Sequence, residues 1–469
     1  MAPPPKIFIL NILGSGAIIY LRRNTMNIYL LKFGFYGIKN IKENIELTFY
    51  KKTVDKSFDP SLYKVKSIYG ENGSGKTAIV TAFSILKKLI VFPDYLSDSN
   101  VQEKLRHIVN KEKNEFRLYA DVCVYSEEVP IVFSYEIMVK KNQDTEIFEI
   151  YYEHLKAKKA TYGKAIFHDV FVIENGEFNV LETDEHNKEI IKNKTMNLLA
   201  RGSGIAKIME LIENKKINYE ADLVYDVILV QGIFLRTMTF LNDEDEHYLF
   251  YTKKNFERIR DIKNITNEGL DKAFFQINEI ISSQTSKVKK NAISSYENKI
   301  KKLTRFIQVF KTSLKDIMVK KKEMDADYYQ VSLVFDYGSY SVDYEFESTG
   351  IKKMVKLYDA IQSVTIGFIV FIDEFDANIN PVFFDKLIDY VRDFADGQLA
   401  FTSHNTSSME SLKDGKDAIN FLTSDNQIIR WTKNGHYSPD VLYKNGMIEK
   451  IPFNIYGTDF VGIFGEYDE

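Results

Sequence analysis

The chain has 469 residues, of which 45% are hydrophobic, and a formal net charge of −4. This length and apolar content predict a globular protein with one large domain or two to three ordinary ones. The single cysteine, Cys123, excludes a disulfide bond within the chain and indicates a reducing compartment, for which we predict the cytoplasm.

The first 25 residues differ in composition from the rest. Ile7 to Leu21 is an almost unbroken apolar run of 15 residues. A membrane-spanning helix needs roughly 18 to 20 such residues, and no small-residue cleavage pattern precedes Met26. We therefore expect residues 1–25 to be an extension outside the core, and we expect no membrane association.

A glycine-rich segment between a predicted strand and a predicted helix carries the strongest chemical signal. Val65–Tyr69 is predicted to be a strand, and Lys76 to Val91 a helix. The run G-E-N-G-S-G-K-T starts directly after the strand and extends into the first residues of the helix. Glycines let the backbone N–H groups of such a turn point at a phosphate, and a helix N-terminus favours the same anion. The pattern predicts a phosphate-binding loop (P-loop), and the alternative is a glycine turn without a ligand. Its predicted binding residues are Gly70, Glu71, Asn72, Gly73, Ser74, Gly75, Lys76 and Thr77.

Within this loop, two side chains have predicted chemical roles. We expect Lys76 to neutralise the phosphates during catalysis and Thr77 to ligate Mg²⁺.

Further strands are predicted on both sides of the P-loop. Ile28–Tyr36 and Ile45–Phe49 precede it, around a polar turn. Between residues 115 and 181 apolar and polar residues alternate, which is typical of antiparallel strands and not of buried parallel ones. We predict that residues 26–250 form an N-terminal lobe that contains the P-loop and an antiparallel part.

A Lys-rich region follows. Phe256 to Met324 has no helix breaker except Gly269, and apolar residues recur at helical spacing. We predict two long helices there, in a coiled-coil-like insertion over residues 251–326. Lys287 to Lys322 holds twelve Lys and Arg but only two acidic residues. This excess predicts a surface for nucleic acid or an acidic partner, and the alternative is the solvated face of a long helix.

Strands are predicted again in a C-terminal lobe, residues 327–469. The apolar strand Ile366–Ile372 ends at Asp373 and Glu374. Phosphoryl transfer depends on positioning and charge neutralisation, so we predict that Asp373 holds the Mg²⁺ shell and Glu374 polarises the attacking water. Without a P-loop, two such carboxylates could equally be ordinary surface residues.

Other features extend this pattern. Ser348 and Gly350 form a Ser-x-Gly turn before a predicted helix, whose N-terminus suits a γ-phosphate held by another subunit. Asp376 follows the carboxylate pair. A predicted strand, Gln398–Thr402, is followed by Ser403 and His404, where an imidazole suits contact with the γ-phosphate or the water. Alone, His404 would be an ordinary histidine.

In this order the segments I-Y-G-E-N-G-S-G-K-T, E-S-T-G-I-K, F-I-D-E-F-D-A-N-I-N-P and F-T-S-H-N-T resemble the ABC-type ATPase head of SMC, DNA-repair and OLD-like proteins. They are similar to AAA-family, OLD-like prokaryotic ATPases of abortive-infection and other anti-phage systems, such as the ATPase subunits of PARIS or Septu. The resemblance implies that Ser348 and Gly350 are signature residues, Asp376 the D-loop residue and His404 the switch histidine. Asn380 departs from the His that relatives usually carry before Pro381, and a Q-loop glutamine is not identified.

The resemblance also implies an α/β head with a mixed central sheet, and ATP and Mg²⁺ as cofactors. ABC-type heads divide each ATP site between two subunits, which implies a homodimer or higher homo-oligomer. Only 65 residues follow His404, too few for the C-terminal metal-binding domain of OLD-like nucleases, so a separate nuclease or toxin effector is expected.

Three functions remain open from the sequence. The first is an ATPase sensor or scaffold of an anti-phage system. The second is an SMC/RecF-like DNA-repair or chromosome ATPase that binds DNA directly. The third is a nucleotide-gated binding module that hardly hydrolyses ATP.

Overall fold

In the residues that it describes, the computed structural model has a mixed α/β fold with three sheets. It describes residues 27–125, 129–214, 216–217, 221–241, 282–377, 379–415, 417–432 and 437–448. The predicted extension, residues 1–25, and residues 251–281 of the predicted insertion lie outside this part of the chain.

The first sheet is antiparallel and has seven strands. They are β1 (Asn27–Tyr36), β2 (Ile45–Thr48), β4 (Glu115–Tyr125), β5 (Ile131–Lys141), β6 (Phe148–Lys159), β7 (His168–Glu174) and β8 (Glu177–Leu181). Their spatial order is β2-β1-β4-β5-β6-β7-β8. The antiparallel strands predicted between residues 115 and 181 are therefore confirmed.

The second sheet has six strands and is mostly parallel. They are β3 (Val65–Gly70), β9 (Thr237–Phe240), β14 (Ile369–Ile372), β15 (Gln398–Thr402), β16 (Ile419–Leu422) and β17 (Ile428–Arg430). Their order is β17-β16-β3-β15-β14-β9, and only β17 runs antiparallel to its neighbour. β3 and β9 come from the predicted N-terminal lobe, and the other four strands come from the predicted C-terminal lobe. The two lobes therefore share one sheet.

The helix after the P-loop, α1 (Lys76–Val91), has its predicted bounds and packs between these two sheets. Phe83 of α1 stacks on Phe371 of β14 with ring centroids 4.0 Å apart, and it meets Phe33 of β1 edge-on at 5.1 Å. Gln398 of β15 joins the sheets directly, since its side chain accepts a hydrogen bond from the Leu30 backbone N–H (2.6 Å) and donates one to the Leu30 carbonyl (3.0 Å). Both sheets thus hold the helix that begins at the P-loop.

Two apolar helices, α4 (Gly204–Glu213) and α5 (Asp222–Leu235), also pack against α1. A buried carboxylate joins α4 to the antiparallel sheet. Glu153 of β6 accepts hydrogen bonds from the Tyr135 hydroxyl (2.9 Å) and from the Gly204 backbone N–H (2.7 Å). Burial raises the pKa of Glu153 to about 7, although these hydrogen bonds act in the opposite direction.

The protein should therefore lose stability as the pH rises through the pKa of Glu153. The unfolded chain releases this proton near its ordinary pKa of 4.5 and the folded chain only near 7. Between these values the folded state binds more protons, so the free energy of unfolding falls with pH, by about 3 kcal/mol in total. Urea denaturation across this range measures the fall. Glu153→Gln, which does not ionise, should flatten it, and equal slopes in both proteins would contradict the prediction.

The third sheet is small and antiparallel. Its strands are β10 (Lys287–Lys289), β11 (Asp316–Glu323), β12 (Tyr328–Asp336) and β13 (Ser341–Asp343), and β12 pairs with the other three. Between β10 and β11 lies an 18-residue helix, α6 (Ile293–Phe310). The prediction of two long helices is therefore wrong for Asp316–Glu323, which form the strand β11. The predicted coiled-coil-like character is not seen in residues 282–326. β11 is stabilised by distant pairing with β12, which crosses the predicted boundary at residue 327.

A buried ion pair attaches α6 to the next helix, α7 (Thr349–Thr365). Lys299 Nζ lies 2.7 Å from Asp359 Oδ1, and both side chains are buried. Asp359 also accepts hydrogen bonds from the backbone N–H (2.9 Å) and hydroxyl (2.8 Å) of Ser283. Because a buried charge needs such partners, this contact fixes α6 firmly to the helix that follows Ser348.

The end of α7 explains why the strand predicted over Ile366–Ile372 is shorter. Gly367 has a φ of 95°, a left-handed conformation typical of a glycine after a helix. The Phe368 N–H donates to the Ser363 carbonyl (3.0 Å), and β14 starts only at Ile369. The remaining helices are α2 (Ser99–Ile108), α3 (Glu185–Thr195), α8 (Pro381–Phe394), α9 (Ser408–Leu412) and α10 (Pro439–Lys444).

None of the helices in the described ranges is both long enough and apolar enough to cross a membrane.

Candidate functional site

The strands that carry the predicted chemistry are neighbours. β15 lies between β3 and β14, and all three run parallel. The P-loop after β3, the Asp373–Glu374 pair after β14 and Ser403–His404 after β15 therefore leave the sheet at the same edge. Ligands of parallel sheets bind at this edge, outside the carboxyl ends of the strands.

Lys76 begins α1, and its side chain folds back to the start of the P-loop. Its side chain is buried, and Nζ donates hydrogen bonds to the carbonyls of Gly70 (2.7 Å) and Glu71 (2.9 Å). Burial lowers the pKa of Lys76, and the charges of Asp373 and three other carboxylates oppose this effect. The structure thus brings the predicted lysine into the electrostatic field of the predicted carboxylate pair.

The P-loop glycines make close approaches that a side chain would block. Gly75 has a φ of 107°, and a Cβ there would lie 2.5 Å from Ile41 Cδ1. A Cβ on Gly70 would lie 2.6 Å from the Leu422 carbonyl oxygen. Neighbouring segments thus enclose the loop on two sides. Ser74 Oγ is buried and has no hydrogen-bond partner in the described part of the chain, so it is a donor suited to an anion.

The other P-loop residues are more accessible. Asn72 and Gly73 are exposed, and Glu71 and Thr77 are half-buried. The loop thus has two buried donors, Ser74 and Lys76, and an exposed part at Asn72 and Gly73.

Thr402, the last residue of β15, fixes the carboxylate pair. Its hydroxyl donates to Asp373 Oδ1 (2.5 Å) and accepts a hydrogen bond from the Glu374 backbone N–H (2.8 Å). Glu374 has a φ of 48°, a left-handed conformation that few residues other than glycine adopt. The same hydroxyl thus orients the Asp373 side chain and stabilises the unusual backbone of Glu374. Sequence reasoning missed this role, because it depends on two strand ends meeting in space.

Replacing Thr402 with Val, which keeps the shape but removes the hydroxyl, should lower the free energy of unfolding by about 1–3 kcal/mol. The expected cause is that buried Asp373 loses its donor. Urea denaturation measures the change, with Thr402→Ser as the control that keeps the hydroxyl. The role assigned to Thr402 fails if the Val variant is as stable as the wild type.

A second contact joins the loops after β14 and β15. Asp376 Oδ2 accepts a hydrogen bond from the Asn405 backbone N–H (2.9 Å). Asp376 Oδ1 is buried and has no partner among the residues described. The His404 side chain, one residue earlier, is exposed. The Asp376 side chain thus contacts the backbone of the residue that follows His404.

The structure does not join the Ser-x-Gly turn to the P-loop of the same chain. Ser348 is exposed and caps α7, with its Oγ accepting a hydrogen bond from the Ile351 N–H (3.3 Å). A Cβ on Gly350 would meet no atom within 4 Å. Within the described ranges no hydrogen bond or ion pair links Ser348–Gly350 to Gly70–Thr77. The turn thus has an open surface.

Asn380, where the resemblance implies a His, has a clear local role. Its side chain accepts a hydrogen bond from the Val382 N–H (3.0 Å) and caps α8, with Pro381 at the first helical position. Asn suits this position because its short side chain reaches the second backbone N–H of the helix.

In the described residues no group of three or more His, Cys, Asp or Glu side chains is placed to hold a metal ion. Mg²⁺ is commonly held by one or two carboxylates together with substrate phosphates. Of the predicted ligands, Thr77 is half-buried and Asp373 is buried, and a hydroxyl and a carboxylate are oxygen donors of the kind that Mg²⁺ binds.

No protein-family model matches this chain, and no curated protein matches it.

Proposed function

We propose that this chain is an Mg²⁺-dependent ATPase with an ABC-type head, which hydrolyses ATP to ADP and phosphate. The observation that carries the proposal is the position of Lys76, a buried ammonium group inside a glycine loop, in the field of Asp373 and Glu374 at the same sheet edge. A buried cation held by backbone carbonyls at the start of a glycine loop, with carboxylates nearby, suits a phosphate–metal ligand.

Each group then has a role that follows from its chemistry. The P-loop N–H groups and Lys76 bind the phosphates, and Thr77 and Asp373 hold the Mg²⁺ that accompanies them. Glu374 orients and polarises the attacking water. The catalytic effect comes chiefly from positioning and from stabilising charge in the transition state.

The open Ser348–Gly350 turn supports a site completed by a second copy. With a nucleotide on one P-loop, this turn of another subunit would face the γ-phosphate, and His404 and Asp376 would lie at the junction. We propose an ATP-dependent homodimer or higher homo-oligomer on this basis. The motifs further favour a cytoplasmic sensor or scaffold of an anti-phage system that controls a separate nuclease or toxin.

The ATPase proposal is tested by phosphate release from ATP with the purified chain, with Mg²⁺ and with excess EDTA. We expect hydrolysis that requires Mg²⁺, and phosphate release with Mg²⁺ no greater than with EDTA would contradict the proposal. The defence role is tested by identifying the neighbouring reading frame and purifying the two proteins together. A nuclease or toxin that co-purifies would support it.

A DNA-binding ATPase is the second candidate, and α6 favours a specific version of it. Several lysines in the small sheet or next to it are paired: Lys287 with Asp325, Lys290 with Glu323, Lys320 with Asp343 and Lys321 with Glu297. By contrast, Lys301, Lys302 and Arg305 are exposed on α6 and have no ion-pair partner in the described part of the chain. Lys315 and Lys322, outside α6, are also exposed and have no ion-pair partner in the described residues, so a nucleic-acid surface within Lys287–Lys322 is expected to include α6 and these two lysines.

Replacing Lys301, Lys302 and Arg305 together with Ala tests this candidate. If the chain binds DNA, affinity should fall uniformly across sequences, and its salt dependence should become weaker. The control replaces the paired Lys320 and Lys321. Absence of salt-dependent DNA binding by the wild type would instead favour the defence role.

A further inference from the structure

Two asparagines, each in a turn of a different sheet, donate hydrogen bonds to backbone carbonyls of the P-loop. Asn40, in the turn between β1 and β2, donates from Nδ2 to the Gly73 carbonyl (2.8 Å). Asn426, in the turn between β16 and β17, donates from Nδ2 to the Ser74 carbonyl (3.3 Å). Two consecutive carbonyls of the loop are thus held by side chains that lie 386 positions apart in the chain, 426 minus 40.

Holding a carbonyl also sets the direction of the N–H in the same peptide unit. A trans peptide is planar, so its C=O and N–H point in opposite directions. With the Ser74 carbonyl turned towards Asn426, the Gly75 N–H points away from Asn426. The Gly73 carbonyl is held by Asn40 in the same way, and the Ser74 N–H of that unit closes the turn on the Glu71 carbonyl (3.2 Å).

Both asparagines are themselves fixed. The residue before Asn40, Lys39, has a φ of 54°, and its carbonyl accepts a hydrogen bond from the Asn110 side chain (3.0 Å). Asn426 has a φ of 60°, which asparagine tolerates better than most residues, and its N–H donates to the Thr423 carbonyl (3.1 Å). Hydrogen bonds within the chain therefore hold both turns.

We infer that Asn40 and Asn426 are positioning residues that orient the P-loop for phosphate before the nucleotide binds; this inference rests on the proposed nucleotide binding. A loop already held in its binding conformation loses less conformational entropy on binding. The asparagines touch the loop from outside, so they act through its backbone and not on the phosphate. Neither is buried, which makes them dispensable for the folded core.

The double variant Asn40→Asp/Asn426→Asp tests the inference. Aspartate has the same shape but places an acceptor where each donor stood, so both carbonyls lose their partner. Titration with a fluorescent ATP analogue in the presence of Mg²⁺ should show affinity lowered about tenfold, the equivalent of one to two net hydrogen bonds. The thermal unfolding temperature without nucleotide should stay close to that of the wild type.

A competition assay separates a phosphate effect from a general one. Tripolyphosphate, which lacks the base and ribose, should lose affinity by the same factor as ATP, because the loop contacts only phosphates. Ser424→Asp adds a negative charge at an exposed position in the same turn as Asn426, so it serves as the control for charge and should bind nearly as the wild type does. Each single Asp variant should show an intermediate loss, which keeps the test informative if the double variant folds poorly.

Different results would contradict the proposed function and the positioning role of the two asparagines. If the wild type does not bind Mg²⁺-ATP, the proposed function is contradicted. If the wild type binds and the Asp variants bind equally well, the proposed function stands and the positioning role is overturned. The positioning role would also be overturned if the variants that lose ATP affinity unfold at a clearly lower temperature than the wild type. The asparagines would then be merely structural.

Discussion

Replacing Lys76 with Ala is expected to lower ATP hydrolysis by about 10³-fold and to remove most measurable ATP binding. The ammonium group is buried within the P-loop, where its charge is poorly screened, and no other Lys or Arg contacts the Gly70 and Glu71 carbonyls in the described residues. Its loss therefore leaves the phosphate charge without its main cation. Phosphate release and a fluorescent nucleotide titration measure the two effects.

Lys52→Ala is the matched control for this change. Lys52 is exposed, so its removal alters the net charge equally without altering the site. Circular dichroism should show that both variants are folded. If the Lys76 variant hydrolyses ATP at the wild-type rate, the P-loop assignment is wrong.

Replacing Glu374 with Gln is expected to lower hydrolysis by about 10²- to 10³-fold while ATP binding is retained. Glutamine keeps the size of the side chain but cannot accept the proton of the attacking water. The backbone at this position should be unaffected, because the Glu374 N–H that binds Thr402 is still present. The variant should therefore accumulate in the ATP-bound state.

Size-exclusion chromatography with light scattering measures this accumulation. With Mg²⁺-ATP the Gln variant should elute at twice the monomer mass or more, and without nucleotide at the monomer mass. Glu345→Gln, at an exposed position, is the control and should behave as the wild type does. If the Glu374 variant keeps full biological function, the chain is a nucleotide-gated binding module and hydrolysis is not part of its role.

Some parts of the site could be read from the sequence because they depend on local patterns. The P-loop is eight consecutive residues between a strand and a helix, and Val65–Gly70 and Lys76–Val91 form as the pattern predicts. Asp373 and Glu374 are the first two residues after the apolar strand β14, and His404 is the second residue after β15. For parallel neighbours, this position at the strand end is enough to bring them to one edge.

Other parts could not be read because they depend on which segments meet. β11 has a Lys-rich sequence without Gly or Pro, and only its pairing with β12 makes it a strand. Nothing in the sequence distinguishes Thr402 from other strand residues, because its role depends on Asp373 at the end of the neighbouring strand β14. Asn40 and Asn426 lie in turns of two different sheets, and no spacing in the sequence relates them to the P-loop.

The central claim is that each ATP site is completed by a second copy of the chain. Mixing two inactive variants tests it most directly: Lys76→Ala, which disables the P-loop, and Ser348→Arg, which blocks the exposed turn. In a mixed dimer, one site combines the intact P-loop of one subunit with the intact turn of the other. With random pairing, half the dimers are mixed and have one working site of two, so the equimolar mixture should recover about a quarter of the wild-type ATPase rate. No recovery above the separate variants, or full activity of Ser348→Arg alone, would contradict the claim.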